Sequence, residues 1–412
     1  MFSEKLIIKN FGPFTEQVEF EFNKYSVIIG PQASGKSIVA KLITIFRNSR
    51  LVDYFEESLK NFNIAIFISK DTEIYYYSDI YSAKFFKGEI EFEINKNVEN
   101  ILDKNQQGDI DLLAEYLKQF KAVEHSIDSL KVKEISELKK KIALLIMKLG
   151  FDKEENIEAF GKATFIPHFK DSYYIPSERL FYAMFKESIS SIIKADIPLP
   201  KVLIELGAMV EDLRNRNETN LLEFQQIRFE QRNDKLMISI GENKIPISFA
   251  SSGIQSLYPI LLICNSLKNK EIQAKREHQY ISVAIEEPEL NLFPQAQNEI
   301  TKKIIESVNS TENVRVIITS HSPYILTTIN NLLFKGKLKK LVESKDGTES
   351  EINFNDSINF EDISAYYIED GKVDNLIDPQ TQLINAKKLD AISYTINNEF
   401  TELMTEYRKL NA

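Results

Sequence analysis

Apolar and polar positions alternate over residues 4–9 and 18–22, which puts Leu6 and Ile8, then Val18, Phe20 and Phe22, on single faces. That period of two predicts half-buried strands, with Asn10-Phe11-Gly12-Pro13-Phe14 as the turn between them. The apolar run Tyr25-Ser26-Val27-Ile28-Ile29 predicts a buried strand ending at Gly30. From Ser37 to about Arg47 the period changes, and Val39, Leu42, Ile43 and Phe46 share one face of a helix. Residues 62–94, rich in Phe, Ile and Tyr, predict β hairpins. From about 110 to 232 the pattern is mainly helical, as in Leu112, Leu113, Tyr116, Leu117 and Phe120, and again in Ile135, Leu138, Ile142, Leu145 and Ile146. Too few uninterrupted heptads follow one another for a long coiled coil, so this stretch reads as a compact helical insertion.

Lys235–Ile240 and Lys244–Phe249 predict a hairpin around Gly241-Glu242-Asn243, and Ile281–Ile285 and Val314–Thr319 predict buried parallel strands. The last 25 or so residues suggest an amphipathic helix. The expected organisation is an N-terminal part over 1–100, a mainly helical insertion over 101–234, a second part of the same unit over 235–335, and a hairpin and helix over 336–412. No repeat, low-complexity tract or flexible linker interrupts it.

Composition narrows the class. A single cysteine, Cys264, excludes a disulfide framework, and four scattered histidines (His125, His168, His278, His321) leave little material for a His-based metal site. With no apolar run near the ~20 residues that span a bilayer, and no secretory leader pattern, the expectation is a cytoplasmic protein without a membrane role. The net charge of −10 confines any nucleic-acid contact to a local patch. Glycine is scarce, 13 in 412 residues against the ~7% average, so those retained are expected where a Cβ is not tolerated.

Gly30-Pro31-Gln32-Ala33-Ser34-Gly35-Lys36-Ser37 satisfies G-x-x-x-x-G-K-[ST] between a predicted strand and a predicted helix. Such a loop curls successive backbone N–H groups around phosphate oxygens at the positive end of a helix dipole. Lys36 would reach the terminal phosphates and the Ser37 hydroxyl would ligate Mg²⁺, so ATP and Mg²⁺ are the expected ligands. At the end of a predicted strand, Glu286-Glu287-Pro288-Glu289 offers two carboxylates. A hydrolytic phosphate-loop enzyme needs one acid there for the metal and another for the attacking water. Glu286 fits the first role and Glu287 the second, with Glu289 serving the turn. Ser251-Ser252-Gly253-Ile254-Gln255 opens an apolar helix and is either an ordinary cap or a second anion site. His321, in Thr-Ser-His-Ser-Pro, ends a strand; it is either structural or placed to contact the γ-phosphate.

In order, these four motifs resemble the ABC-type ATPase heads of the SMC, RecF and OLD-like families. The resemblance matches Ser252-Gly253-Ile254-Gln255 to their signature, Glu286-Glu287 to Walker B with its catalytic glutamate, and His321 to the switch histidine. Asn10–Phe14 looks like the opening turn of that group, and Ile175-Pro176-Ser177-Glu178-Arg179 like a segment common in OLD-like ATPases. The likeness covers about 1–50 and 235–330. This sequence departs from the pattern at Gln32, where Asn is frequent, at Glu286, where transporter heads have Asp, and at Ile254, where a second glycine is usual. The family's Q-loop glutamine has no evident counterpart.

The resemblance implies an α/β fold: an ABC-type head with a mostly parallel central sheet, an antiparallel β layer and an inserted helical lobe. It also implies ATP sandwiched between two heads, a dimer or higher even oligomer. One head would supply Lys36, Ser37, Glu286, Glu287 and His321, and its partner Ser252 and Gly253. The role it favours is the ATPase subunit of an anti-phage defence system acting on a separate effector such as a nuclease; a RecF-like DNA-repair ATPase is the alternative. A nuclease domain in the same chain is not expected: Tyr367–Asp374 echoes a TOPRIM motif, but no Asp-x-Asp follows, and Asp370-Gly371 reads as a hairpin turn. A transporter motor does not fit the 215 positions between Ser37 and Ser252. Lysines 131, 133, 139, 140 and 141 form a basic stretch, read as a solvated helix face because glutamates interleave.

Overall fold

The computed structural model describes residues 4–48, 54–79, 81–94, 169–185, 199–216, 221–232, 235–269, 280–311, 313–345, 350–386 and 398–405. In chain order these form β1 (Glu4–Lys9), β2 (Val18–Glu21), β3 (Tyr25–Ile29), α1 (Lys36–Phe46), α2 (Phe55–Asn61), β4 (Glu73–Ser78), β5 (Tyr81–Phe86) and β6 (Glu89–Ile94). Then follow β7 (Phe169–Ile175), α3 (Leu180–Phe185), α4 (Lys201–Arg216), β8 (Leu221–Phe224), β9 (Ile227–Arg232), β10 (Lys235–Ile240), β11 (Asn243–Pro246) and α5 (Ser252–Lys268). Last come β12 (Tyr280–Glu286), α6 (Pro294–Asn309), β13 (Val314–Ser320), α7 (Pro323–Glu343), β14 (Ile363–Glu369), β15 (Lys372–Asn375), β16 (Ile377–Asp378), β17 (Leu383–Ile384) and a helix over 398–405.

The central sheet runs β15-β14-β3-β13-β12-β7, with every pairing parallel except that of the edge strand β15. Its buried strands divide their side chains by parity, as a two-sided sheet requires. Tyr25, Val27, Ile29, Val283, Ile285, Val316 and Ile318 enter one core with α5, α6 and α7. Ile28, Ala284, Ile317 and Ile368 enter the other, with α1 and the antiparallel sheet β2-β1-β4-β5-β6. A separate meander, β11-β10-β9-β8, packs on the first core, where Phe229 lies against Tyr258. The fold is therefore the expected α/β arrangement of a mostly parallel sheet with an antiparallel layer.

Several expectations need correction. The hairpins expected from residue 62 begin only at Glu73, because 62–72 is taken up by the turn after α2, a 3₁₀ turn at Ala65–Phe67 and a loop. The segment 101–234, expected as mainly helical, supplies β7 to the central sheet and β8 and β9 to the meander. Lys, Asp and Ser dilute the apolar signal of β7, which the sheet tolerates at its edge beside α1. The helical patterns at 112–120 and 135–146, and the lysines at 131–141, lie outside the described residues. The hairpin β14–β15 turns at Asp370-Gly371, both with positive φ, as a tight two-residue hairpin loop demands. It is no appendage, however. β14 lies parallel against β3, pairing Ala365 with Val27 and Tyr367 with Ile29.

Candidate nucleotide site

β3, β13 and β12 lie side by side and parallel, so the segments that follow them emerge at one edge of the sheet. Those segments are the phosphate loop, the His321 turn and the Glu286–Glu289 turn. The loop is held from the C-terminal side of the chain: a Cβ on Gly30 would fall on the carbonyl oxygen of Ile368 in β14. Ala33 takes φ +60 inside the loop and α1 begins at Lys36. Pro31, Gln32 and Ala33 are exposed, while Ser34, Gly35 and Lys36 are buried and Ser37 is half-buried.

The Lys36 ammonium donates to the carbonyls of Gly30 (3.0 Å) and Pro31 (2.6 Å) and lies 3.4 Å from His321 Nδ1. His321 Nε2 is 2.8 Å from Glu287 Oε1. The neighbours assign the imidazole proton: Nδ1 faces an ammonium that can only donate, and Nε2 faces a carboxylate that can only accept. Nδ1 is thus assigned as the acceptor toward Lys36 and Nε2–H as the donor toward Glu287. Glu287 takes φ +43 and its backbone N–H donates to the Thr319 carbonyl, a strained turn that directs the carboxylate at His321. The His321 hydrogen bond holds the Glu287 carboxyl below the ordinary glutamate range, against burial, so it is ionised at neutral pH.

Glu286 is 2% exposed. Its Oε2 accepts from the Ser177 backbone N–H at 3.2 Å, and the buried Tyr174 hydroxyl lies beside the same carboxylate, leaving Oε1 without a hydrogen bond of good geometry. Thr319 Oγ1, facing it in register on β13, is likewise unsatisfied. Buried hard oxygens with incomplete hydrogen bonding beside a phosphate loop suit Mg²⁺, which is usually held by one or two protein oxygens together with substrate phosphates. Among the described residues no group of three or more His, Cys, Asp or Glu is placed to hold a metal ion. Glu289 serves the turn, accepting from Ser320 Oγ (2.7 Å) and the His321 N–H (2.8 Å). Burial raises its carboxyl above the usual range.

Burial also pulls the Lys36 ammonium down to about 8, although Glu287, Glu289 and Glu286 oppose the shift. The sign predicts a pH effect on phosphate binding. Above pH 8 the free protein loses the Lys36 proton, so ATP affinity should fall by up to about tenfold per pH unit. Lys36→Arg, whose charge persists, should flatten that profile. A wild-type affinity constant from pH 7 to 9.5 would refute the assignment.

Ser252 and Gly253 do not join this cluster. They open α5, which packs in the core across the central sheet from α1. Ser251 and Ser252 are exposed, and Gly253 is pressed on the turn after Glu289, where a Cβ would overlap the Asn291 carbonyl oxygen. Gln255 is spent structurally, donating to the carbonyls of Ser248 and Ala250. Reading the sequence for candidate site residues passed over Arg179. Its guanidinium is fully buried beneath the glutamates and bonded to the carbonyls of Glu286 (2.7 Å) and Glu287 (2.6 Å). Burial lowers it to about 10. The one signal was the Ile175–Arg179 motif, which marks a segment but says nothing of where its arginine points.

The family follows from residues 1–326, which match the sequence model described as the AAA ATPase domain. The chain belongs to the AAA ATPase domain family. Its matched region spans the phosphate loop, Ser252-Gly253, the Glu286–Glu289 turn and His321, so all four motifs of this AAA ATPase lie inside it. No curated protein sequence matches the chain. Among solved structures, this ATPase is similar to an Smc head bound to the C-winged helix domain of ScpA, at 12% identity and TM-score 0.43, covering 92% of this chain and 99% of that one. It is similar to a Pyrococcus furiosus Smc head with an extended coiled coil, bound to the C-terminal domain of ScpA, at 13% identity, TM-score 0.40 and coverages of 96% and 100%. The third is the SMC head domain from Thermotoga maritima, at 11% identity, TM-score 0.38 and coverages of 91% and 98%. Among the described residues no helix is long and apolar enough to cross a membrane.

Proposed function

We propose that this ATPase hydrolyses ATP between two copies of the chain, closing on ATP and opening on hydrolysis. The observation that carries the reading is the contact series Lys36–His321–Glu287 at one edge of the parallel sheet. It sets a phosphate-seeking cation, a hydrogen-bond relay and an ionised carboxylate in line. The phosphate loop from Gly30 to Ser37 would bind the triphosphate, with Lys36 against its terminal phosphates. Ser37 and Glu286 would hold Mg²⁺, which when bound neutralises charge on the phosphates. Glu287 would orient the attacking water and accept its proton, while His321 holds that carboxylate in place. Ser252 and Gly253 would complete the site of the opposite copy, since their own helix is packed across the sheet from α1.

Complementation tests the shared site. Lys36→Ala and Ser252→Arg should each be inactive alone. Random pairing makes half the pairs mixed, each with one intact site of two, so an equal mixture should regain about a quarter of wild-type turnover. A mixture as inactive as its components would sink the two-copy reading.

We further propose, from the resemblance of the motifs to OLD-like heads, that the pair is the cytoplasmic ATPase subunit of an anti-phage defence system and controls a separate effector such as a nuclease. Tagged Glu287→Gln protein, purified from its native host with ATP and Mg²⁺, should carry a stoichiometric second protein. Salt-releasable DNA with no protein partner would instead favour a repair-type ATPase.

A further inference from the structure

Arg179 is 0% exposed, and its hydrogen bonds go to main-chain oxygens of three segments. Nη1 donates to the carbonyls of Glu286 (2.7 Å) and Pro176 (3.3 Å), Nη2 to Glu287 (2.6 Å) and Nε to Ser256 (3.0 Å). A buried guanidinium is costly to desolvate, so a fold that keeps one uses its planar fork or its charge. Here the fork spans two loci with different jobs. Glu286 and Glu287 are the acids of the chain's own nucleotide site, and Ser256 lies one turn into the helix that begins with Ser252 and Gly253. Two further contacts tie the same loci: Ser256 Oγ donates to the carbonyls of Gly253 (2.9 Å) and Leu290 (3.2 Å), and Gly253 is pressed on Asn291.

We infer that Arg179 is a positioning residue that couples the two nucleotide sites of the paired ATPase: it transmits the state of the Glu286–Glu287 turn in one site to the Ser252–Gly253 turn presented to the other. The inference rests on the two-copy reading above. Displacing the Glu287 carbonyl moves an acceptor of Nη2, and the rigid fork carries that displacement to Ser256 through Nε. The tight packing of Gly253 on Asn291 leaves the helix start no slack to absorb it. Arg179 touches no reacting atom and sits beside no part of the phosphate loop in these contacts, so nucleotide binding by a single copy does not need it.

The test separates binding from pairing in the Glu287→Gln background, with ATP and Mg²⁺ as the ligand. Arg179→Lys keeps the charge and loses the fork. The doubly substituted protein should bind ATP within about threefold of Glu287→Gln alone, yet need on the order of tenfold more protein to pair in sedimentation, a coupling of ordinary allosteric size. In otherwise wild-type protein, Arg179→Ala should recover part of its lost turnover with millimolar guanidinium chloride but not with sodium chloride. If Arg179→Lys does not fold, Arg179→Gln, which keeps an amide donor and loses the fork that reaches both Glu287 and Ser256, should show the same split. Pairing unchanged by Arg179→Lys overturns the inference alone, as does a parallel loss of binding and pairing. Failure of Glu287→Gln itself to pair overturns the two-copy reading as well.

Discussion

Glu287→Gln is expected to lower ATP turnover by about 10²–10⁴-fold, the usual share of a positioned acid–base group, while ATP affinity changes little. Glutamine keeps the shape and still accepts a hydrogen bond from His321 Nε2, now 2.8 Å from Glu287 Oε1. What disappears is the negative charge that, in the proposed role, would orient and deprotonate water. The carboxyl lies below the ordinary glutamate range, chiefly through the His321 hydrogen bond. A lowered group stays ionised until the pH falls through its shifted value, so turnover near neutrality should be insensitive to its titration. His321→Ala removes the largest cause of that shift, and the acid limb of the residual activity should move to higher pH. Steady-state kinetics across pH check both statements. A Glu287→Gln enzyme within fivefold of wild type would remove Glu287 from the reaction.

The largest effect on stability is expected at the other end of α1. Arg47 follows the last turn of that helix and forms a fully buried, two-pronged pair with Glu4 of β1, at 2.8 and 2.5 Å. Tyr76 of β4 donates to the same carboxylate at 2.7 Å, and Arg47 Nη1 reaches Ser282 of β12 at 3.2 Å. This cluster joins the phosphate-loop helix to the antiparallel layer and to the strand that carries Glu286. Arg47→Met leaves the buried Glu4 carboxylate with only the Tyr76 hydroxyl and the charge of nearby Arg315 to offset it, and should cost about 3 kcal/mol. Adding Glu4→Leu removes that charge as well and should restore most of the loss, because the two sites are not independent. Chemical denaturation of the two proteins decides the point. A single substitution costing under about 1 kcal/mol would show that water or rearrangement relieves the charge.

How much of this was legible beforehand depends on the range of the interaction that fixes each residue. The run Tyr25–Ile29, the loop from Gly30 to Ser37 and the start of α1 are contiguous, and their periodicity and glycines are local signals. The acids at Glu286 and Glu287 and the histidine at His321 were readable as strand ends, since each follows a short apolar run. The strand Ile363–Glu369 carries the same kind of run, but nothing local says that it will lie on β3, more than 300 residues earlier in the chain. Strand β7 was obscured by Lys170, Asp171 and Ser172, which an edge position next to α1 accommodates.

By itself, then, the amino-acid sequence determined the elements whose cause lies within a few residues: the phosphate loop between strand and helix, the acidic turn, the histidine turn and the Asp370-Gly371 hairpin. Only the tertiary structure decided which of these meet. It brings Lys36, His321 and Glu287 into contact, sets Ser252 and Gly253 at the start of a helix on the opposite face of the sheet from α1, and places Arg179 between the acidic turn and that helix. The physical reason is that strand order and the choice of sheet face are set by burial of the whole core. Periodicity shows that a strand has an apolar face, and only packing determines what that face meets.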